Sequence, residues 1–224
     1  MKRKRGKVKI KRSTIVRIIL LSLFAGMCLY ALKFWNIIPD QSYTAEDFGI
    51  QTIKSETDYN KNGTDDFTDI LLGARSYVQT KPAYKSAYYS GGYPPDGVGV
   101  CTDVIWKAFQ NAGYSLKDLV DDDIAKNLTS YTTITKPDPN IDFRRVRNLK
   151  IFFDRTASSL TLDVSSVEKW QPGDIVVYHN HIAIVSNKRN KNGRPYIIHN
   201  AGQPNLEEDA LTRQEIIGHY RWIP

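Results

Sequence analysis

The spacing of apolar residues predicts helices in the middle of the chain. From Cys101 to Ala112, apolar residues recur at three- and four-residue intervals, which predicts an amphipathic helix ended by Gly113. A second helix is predicted over 116–127, because Ser115 is a suitable N-cap. A third is predicted over 143–157 with Asp142 as its cap.

The pattern changes after residue 160 and there predicts strands. Short segments rich in β-branched and aromatic residues occur at 174–178, 181–187, 195–200 and 218–223. Asn192-Gly193 is a strong hairpin signal between the second and third of them. Helices followed by strands predict an α+β fold, with the helices packed on one face of an antiparallel meander.

The N-terminal region is apolar without such periodicity. Residues 1–14 form a basic tail, and residues 15–38 are long enough to cross a membrane. The basic tail predicts a cytoplasmic N-terminus and an extracytoplasmic C-terminal domain. A cleaved signal peptide is the alternative, although no small-x-small site follows the apolar run. Residues 39–57 are predicted to be a linker.

The charge distribution argues against nucleic-acid binding. The net charge is +7, but ten of the 31 Lys and Arg residues lie within residues 1–35, where there is no acidic residue. The rest of the chain therefore holds 21 basic and 24 acidic residues. The basicity belongs to the membrane-proximal segment and not to the folded part.

Cys101 is the only cysteine outside the apolar segment, so it has no disulfide partner in an exported domain. At the start of a helix, backbone N–H groups and the helix dipole favour a nucleophilic thiolate. The alternative is a buried, inert cysteine.

Two of the four histidines lie where they can serve such a nucleophile. His181 begins one predicted strand and His199 ends the next, so strand pairing brings them near each other. Together with Cys101 they supply a nucleophile, a base and a group that orients the base. His179 and His219 are interpreted as surface or strand-packing residues.

The segment from Trp170 to Gly202, "WQPGDIVVYHNHIAIVS…YIIHNAG", resembles the second half of the NlpC-type cell-wall cysteine peptidases of the papain-like superfamily. The resemblance implies a papain-like domain over 70–224, with Cys101 as nucleophile, His181 as base and His199 as orienting residue. It also implies an oxyanion-site tyrosine, either Tyr88 or Tyr89. The Asp-Cys-Ser-Gly sequence usual in that family is replaced here by Val-Cys-Thr-Asp.

The stretch from 82 to 224 also resembles an uncharacterised bacterial envelope family catalogued as a domain of unknown function. "GVCTDV", "KPDPNIDFRRV" and "GHYRW" carry this resemblance. Arg144 and Arg145 follow a rigid loop and are candidates for binding substrate carboxylates, or else are solvated charges at a helix start. Asp174 is interpreted as a residue that fixes a turn.

Residues 58–69, "DYNKNGTDDFTD", match a twelve-residue calcium loop with Gly63 at its sharp turn. Asp at the twelfth position departs from the usual Glu but resembles dockerin-type loops. A polar Asn-Gly turn is the alternative, and a bound calcium ion is predicted to be structural. The predicted ligands are Asp58, Asn60, Asn62, Thr64, Asp66 and Asp69.

These features together predict a membrane-anchored extracytoplasmic cysteine hydrolase. Its expected substrates are amide bonds in peptidoglycan peptides, and its expected partners are the envelope and the membrane. Two alternatives remain: a calcium-stabilised, non-catalytic module that binds wall peptide or a partner protein, and an acyl or peptidyl transferase.

Overall fold

The computed structural model describes residues 11–34, 37 and 41–223. The chain divides into two compact units, residues 1–40 and 41–224. The described part of the first unit is helix α1, Arg12–Phe34, with a mean hydropathy of 2.2 in its most apolar window. This helix is long and apolar enough to be a membrane span or a signal sequence. The basic residues before position 11 and the predicted end of the span at Ile38 lie outside the described residues.

The second unit contains four further α-helices among the described residues. Helices α3 and α4 agree closely with the sequence pattern, and α5 starts later than predicted. They are α2 Asp66–Gln79, α3 Cys101–Asn111, α4 Leu116–Asn127 and α5 Val146–Thr156.

Local sequence accounts for the start of α4 and the end of α3. The Ser115 hydroxyl accepts the backbone N–H of Asp118, as expected for an N-cap, and Gly113 has a φ of +88° just after α3. Asp142 does not cap α5. It lies in a separate 3-10 turn, Asp142–Arg144, and accepts the backbone N–H of Asp138 instead.

The strands form one six-stranded antiparallel sheet and one two-stranded parallel ribbon. The sheet has the order β3-β8-β4-β5-β6-β7. The strands are β1 Ala83–Tyr84, β2 Val98–Gly99, β3 Ser158–Ser159, β4 Ile175–Tyr178, β5 Ile182–Arg189, β6 Pro195–Ile198, β7 Glu207–Glu208 and β8 Ile216–Arg221.

The sheet is not the simple meander that the sequence predicts. Strands β4, β5 and β6 do follow one another, but β8 pairs with β4 and not with β6. The turn between β5 and β6 depends on Asn190, whose side-chain oxygen accepts the backbone N–H groups of Asn192 and Arg194. Gly193 follows with a φ of +78°, so only one residue of the predicted Asn-Gly pair is left-handed.

Helices cover one face of the sheet, as predicted for the α+β class. The apolar stripe of α3, including Val104, Ile105 and Phe109, is fully buried against alternate residues of β4 and β5. The opposite face carries a second, smaller cluster around Trp170, which loops cover. Asp103 departs from the amphipathic pattern of this helix, because it is fully buried although its side chain is charged.

The segment predicted as a linker is part of the folded unit. Tyr43 exchanges two backbone hydrogen bonds with Arg189, at 2.7 and 2.8 Å. The side chain of Gln171 bonds to the backbone of Gln51 and Ile53. Backbone groups bound in this way are not free to act as a flexible tether, so the linker prediction is wrong for residues 41–57.

Candidate active site

Cys101 is the first residue of α3 and lines a cleft of 260 Å³. Only 7% of the residue is exposed. The backbone N–H groups of Ile182 and Thr102 lie near its sulfur. The thiol is thus adjacent to Ile182, the first residue of β5, which directly follows His181 in the chain.

The structure brings the two predicted histidines together. His181 Nε2 and His199 Nδ1 are 2.8 Å apart, and both residues are buried. In the pairing of β5 with β6, Ile184 lies opposite Ile198, so His199 lies diagonally across from His181. The contact between the two rings involves Nε2 of His181, so the other ring nitrogen of His181, Nδ1, takes no part in it.

A buried carboxylate extends this pair. His199 Nε2 is 3.1 Å from Oε1 of Glu208, which is 3% exposed and also accepts a hydrogen bond from Arg213. Sequence reasoning missed Glu208, because its strand β7 has only two residues and no apolar alternation that would predict it.

The carboxylate fixes the tautomers along the chain of contacts. An ionised Glu208 only accepts, so His199 donates from Nε2 and accepts at Nδ1. His181 must then donate from Nε2, and its Nδ1 carries a free electron pair. The amide nitrogen of Gln203 lies 3.1 and 3.4 Å from the two ring nitrogens of His199, which indicates that it lies against the ring. A neutral His181 is thereby held with Nδ1 as its hydrogen-bond acceptor.

Asn200 ties the histidine strand to the segment that leads into the cysteine. Its buried side-chain amide donates to the carbonyl oxygens of Pro82 and Gly99, at 3.0 and 3.3 Å. Because Gly99 precedes Cys101 by two residues and Asn200 follows His199 directly, these bonds fix the sulfur relative to the imidazoles.

The predicted thiolate is not the resting state of Cys101. Burial raises the pKa of the thiol to about 11, although the N–H groups of Ile182 and Thr102 act in the opposite direction. Burial, followed by the neighbouring His199, lowers the pKa of His181 to about 3. At neutral pH both groups are therefore uncharged, and the helix start does not offset the desolvation of the sulfur.

The cleft is not lined by either tyrosine predicted for the oxyanion site. The Tyr88 hydroxyl accepts a hydrogen bond from Asn140, and the ring of Tyr89 lies under the guanidinium of Arg144. Tyr84 lines the cleft instead, together with Ser86. Burial, and to a smaller extent the nearby Cys101, raises the pKa of Tyr84.

Of the two predicted carboxylate-binding arginines, Arg144 is already paired. Its guanidinium donates to both carboxylate oxygens of Asp103, at 2.8 and 3.0 Å, and both side chains are buried. Asp103 also accepts the Trp106 indole N–H and the Val100 backbone N–H. Arg144 is therefore a structural residue and not a solvated charge, whereas Arg145 is exposed on the cleft wall.

The predicted calcium ligands are engaged in hydrogen bonds. Asp66 is fully buried and accepts the Tyr114 hydroxyl at 2.6 Å and the backbone N–H of Tyr59 at 2.9 Å. Asn60 and Asn62 direct their amide nitrogens to Asp69 Oδ2, each at 2.9 Å. No cluster of three potential His, Cys, Asp or Glu ligands occurs in the described residues.

The loop around Gly63 is instead closed by its own hydrogen bonds. Asp58 accepts the backbone N–H groups of Asn62 and Gly63, and Asn62 accepts that of Thr64. Each asparagine amide oxygen accepts one N–H group and keeps a second lone pair. These hydrogen bonds do not test calcium binding, which stays a prediction.

Comparisons with other proteins identify the family of the chain. Residues 71–222 match the family model described as "Domain of unknown function (DUF1287)". The chain belongs to this family. It is also 38% identical over 166 residues to the "Uncharacterized protein YijF" of Escherichia coli strain K12, covering 69% of this chain and 80% of that protein. No solved structure matches the chain. The DUF1287 match includes Cys101, both paired histidines and Glu208.

Proposed function

We propose that this protein is a cysteine amidase or peptidase that cleaves amide bonds of cell-envelope peptides. One observation carries the proposal. A thiol at a helix start, in a cleft, lies near the backbone of Ile182, and the preceding residue, His181, begins a buried chain of two imidazoles and a carboxylate with contacts of 2.8 and 3.1 Å. A nucleophile, a base and a group that orients the base are the parts that covalent amide hydrolysis needs.

The first step is attack by the sulfur on the amide carbonyl. As the S–C bond forms, the Cys101 proton passes to Nδ1 of His181, so no thiolate is required beforehand. The resulting imidazolium is stabilised through His199 by the carboxylate of Glu208. The backbone N–H groups of Thr102 and Ile182 face the sulfur and are the candidate donors for the oxyanion.

The second step releases the amine and then the acid. His181 returns the proton to the leaving nitrogen as the C–N bond breaks, which leaves a thioester on Cys101. Water, deprotonated by His181, then attacks the thioester and regenerates the thiol. If an amine takes the place of water, the same intermediate gives transfer in place of hydrolysis.

We further propose a papain-like domain that faces the outside of the cell membrane. The α-helix carrying the cysteine packs on an antiparallel sheet carrying the histidines, which is the arrangement that the NlpC-type resemblance implies. The basic residues before the apolar helix α1 support a cytoplasmic N-terminus and an exported second unit. Peptidoglycan peptides are the amide substrates that such a location offers.

Digestion of purified peptidoglycan tests the function. The full chain in detergent is incubated with peptidoglycan, beside a Cys101→Ala variant, and soluble fragments are analysed by mass spectrometry. We expect new amine and carboxyl ends with the wild type only, because the variant lacks the nucleophile. Equal fragment yields from both proteins would reject the enzyme, and new cross-linked products would indicate transfer.

The raised pKa of Cys101 favours a second candidate, a non-catalytic module that binds envelope peptide. A thiol that is 7% exposed, with a pKa of about 11, is a weak nucleophile until His181 deprotonates it. If the protein is such a binding module, peptidoglycan should stay intact, and the wild type and the Cys101→Ala variant should sediment with it in equal amounts.

A further inference from the structure

We propose that the cleft beside Cys101 selects peptides that carry a free carboxylate close to the amide, and that Arg145 and Arg147 bind this carboxylate. The proposal deepens the proposed function by naming its substrate class. Cleavage of such a peptide depends on the proposed function. Binding of its carboxylate depends only on the positive charge of the cleft.

The cleft has a basic wall without an acidic counterpart. Its lining in the described residues includes Arg145, Arg147 and His179, and no Asp or Glu. Both arginines are exposed, and in the part of the chain that the structure describes neither forms an ion pair or a side-chain hydrogen bond. The carboxylate of Glu215 is engaged by His179, whose Nε2 lies 3.3 Å from its Oε2. The two guanidinium groups are therefore available to a ligand.

The local structure gives no reason for these charges. Arg145 immediately precedes α5 and Arg147 is its second residue, while the first turn contains no acidic residue. Positive side chains at a helix N-terminus oppose the helix dipole. Arg144, by contrast, has a structural partner in Asp103. A locally unfavourable feature at the rim of a cleft is typical of a binding function.

The chemistry of the two arginines specifies the ligand. A guanidinium offers a planar fork of N–H donors that matches a carboxylate with two parallel hydrogen bonds. The cleft volume of 260 Å³ is slightly below the roughly 300 Å³ of small-molecule pockets, so the cleft holds a part of a peptide. Because the arginines and the sulfur line the same cleft, the carboxylate has to be close to the bond that is cleaved.

A pair of synthetic peptides tests this proposal. The probes are an Ala–γ-Glu–Lys–Ala tetrapeptide with free carboxylates and the same tetrapeptide with its carboxylates converted to amides. Binding is measured by calorimetry on the full chain in detergent, with Cys101→Ala to prevent turnover. The test variant adds Arg145→Gln and Arg147→Gln, and the matched control adds Arg194→Gln, which removes a charge from the β5–β6 turn.

We expect the acidic peptide to bind about tenfold more tightly than the amidated one, as for a charge-assisted bidentate contact. The double arginine variant should lose this difference, and the Arg194→Gln control should keep it. Equal affinity for both peptides, or a difference that survives in the double variant, would overturn the proposal. If the Cys101→Ala protein prefers the acidic peptide but the wild type leaves that peptide uncleaved, the carboxylate site stands and the proposed hydrolase fails.

Discussion

Replacing Arg144 by methionine should destabilise the fold strongly, because it leaves a charge buried without its partner. Arg144 and Asp103 form two hydrogen bonds of 2.8 and 3.0 Å, and their side chains are 2% and 0% exposed. Breaking a buried pair on one side costs about 3–5 kcal/mol. The indole of Trp106 and the N–H of Val100 still donate to Asp103, so we expect the lower part of this range, about 3 kcal/mol.

Urea denaturation of the full chain in non-ionic detergent, followed by tryptophan fluorescence, measures this loss. Arg145→Met is the matched control, since Arg145 is the adjacent residue but exposed, and its change should stay within about 0.5 kcal/mol. The double variant Asp103→Asn/Arg144→Met should be more stable than Arg144→Met alone, because the buried charge is gone. A loss below about 1 kcal/mol for Arg144→Met, or equal losses at both positions, would refute the reasoning.

Three further predictions concern stability. As the pH is lowered from 6.5 to 3, the free energy of unfolding should fall by up to about 1.4 kcal/mol per pH unit, because His181 becomes protonated in the unfolded chain while burial keeps it neutral in the folded one. Urea titrations of His181→Asn should show a smaller fall. If the loop binds calcium as predicted, millimolar calcium should raise the melting temperature and Asp69→Asn should abolish this rise; an unchanged melting temperature with calcium and with a chelator would remove the calcium prediction. Ser115→Ala should cost about 1 kcal/mol in urea denaturation, and no loss would mean that this N-cap is dispensable.

The sequence predicts the elements of this fold better than their connections. Helix α3 and strand β5 follow from local periodicity, because buried apolar residues repeat at the period of each element. The pairing of β8 with β4 does not follow, since the choice of neighbouring strand depends on contacts between distant parts of the chain. The linker prediction fails for a similar reason: residues 51 and 53 are held by Gln171, about 120 positions later.

The candidate site shows the same division. The meeting of His181 and His199 was predicted, because a hairpin joins their strands and sets the register within about two residues. The contact of Glu208 with His199 and the pairing of Arg144 with Asp103 were not predicted. A charged residue is expected at the surface when the sequence does not reveal its partner. The thiolate prediction failed because the sequence indicates that Cys101 starts a helix but does not indicate how deeply its sulfur is buried.

The central claim is that Cys101 and His181 act together on a carbonyl-bearing ligand. A chloromethyl ketone derived from Ala–γ-Glu tests it directly, because alkylation from within the cleft needs both the thiol and its base. We expect intact-mass analysis at pH 7 to show one adduct, mapped to Cys101, that forms at least about 100-fold more slowly in His181→Ala. Equal rates in the two proteins, or an adduct at another residue, would contradict the account.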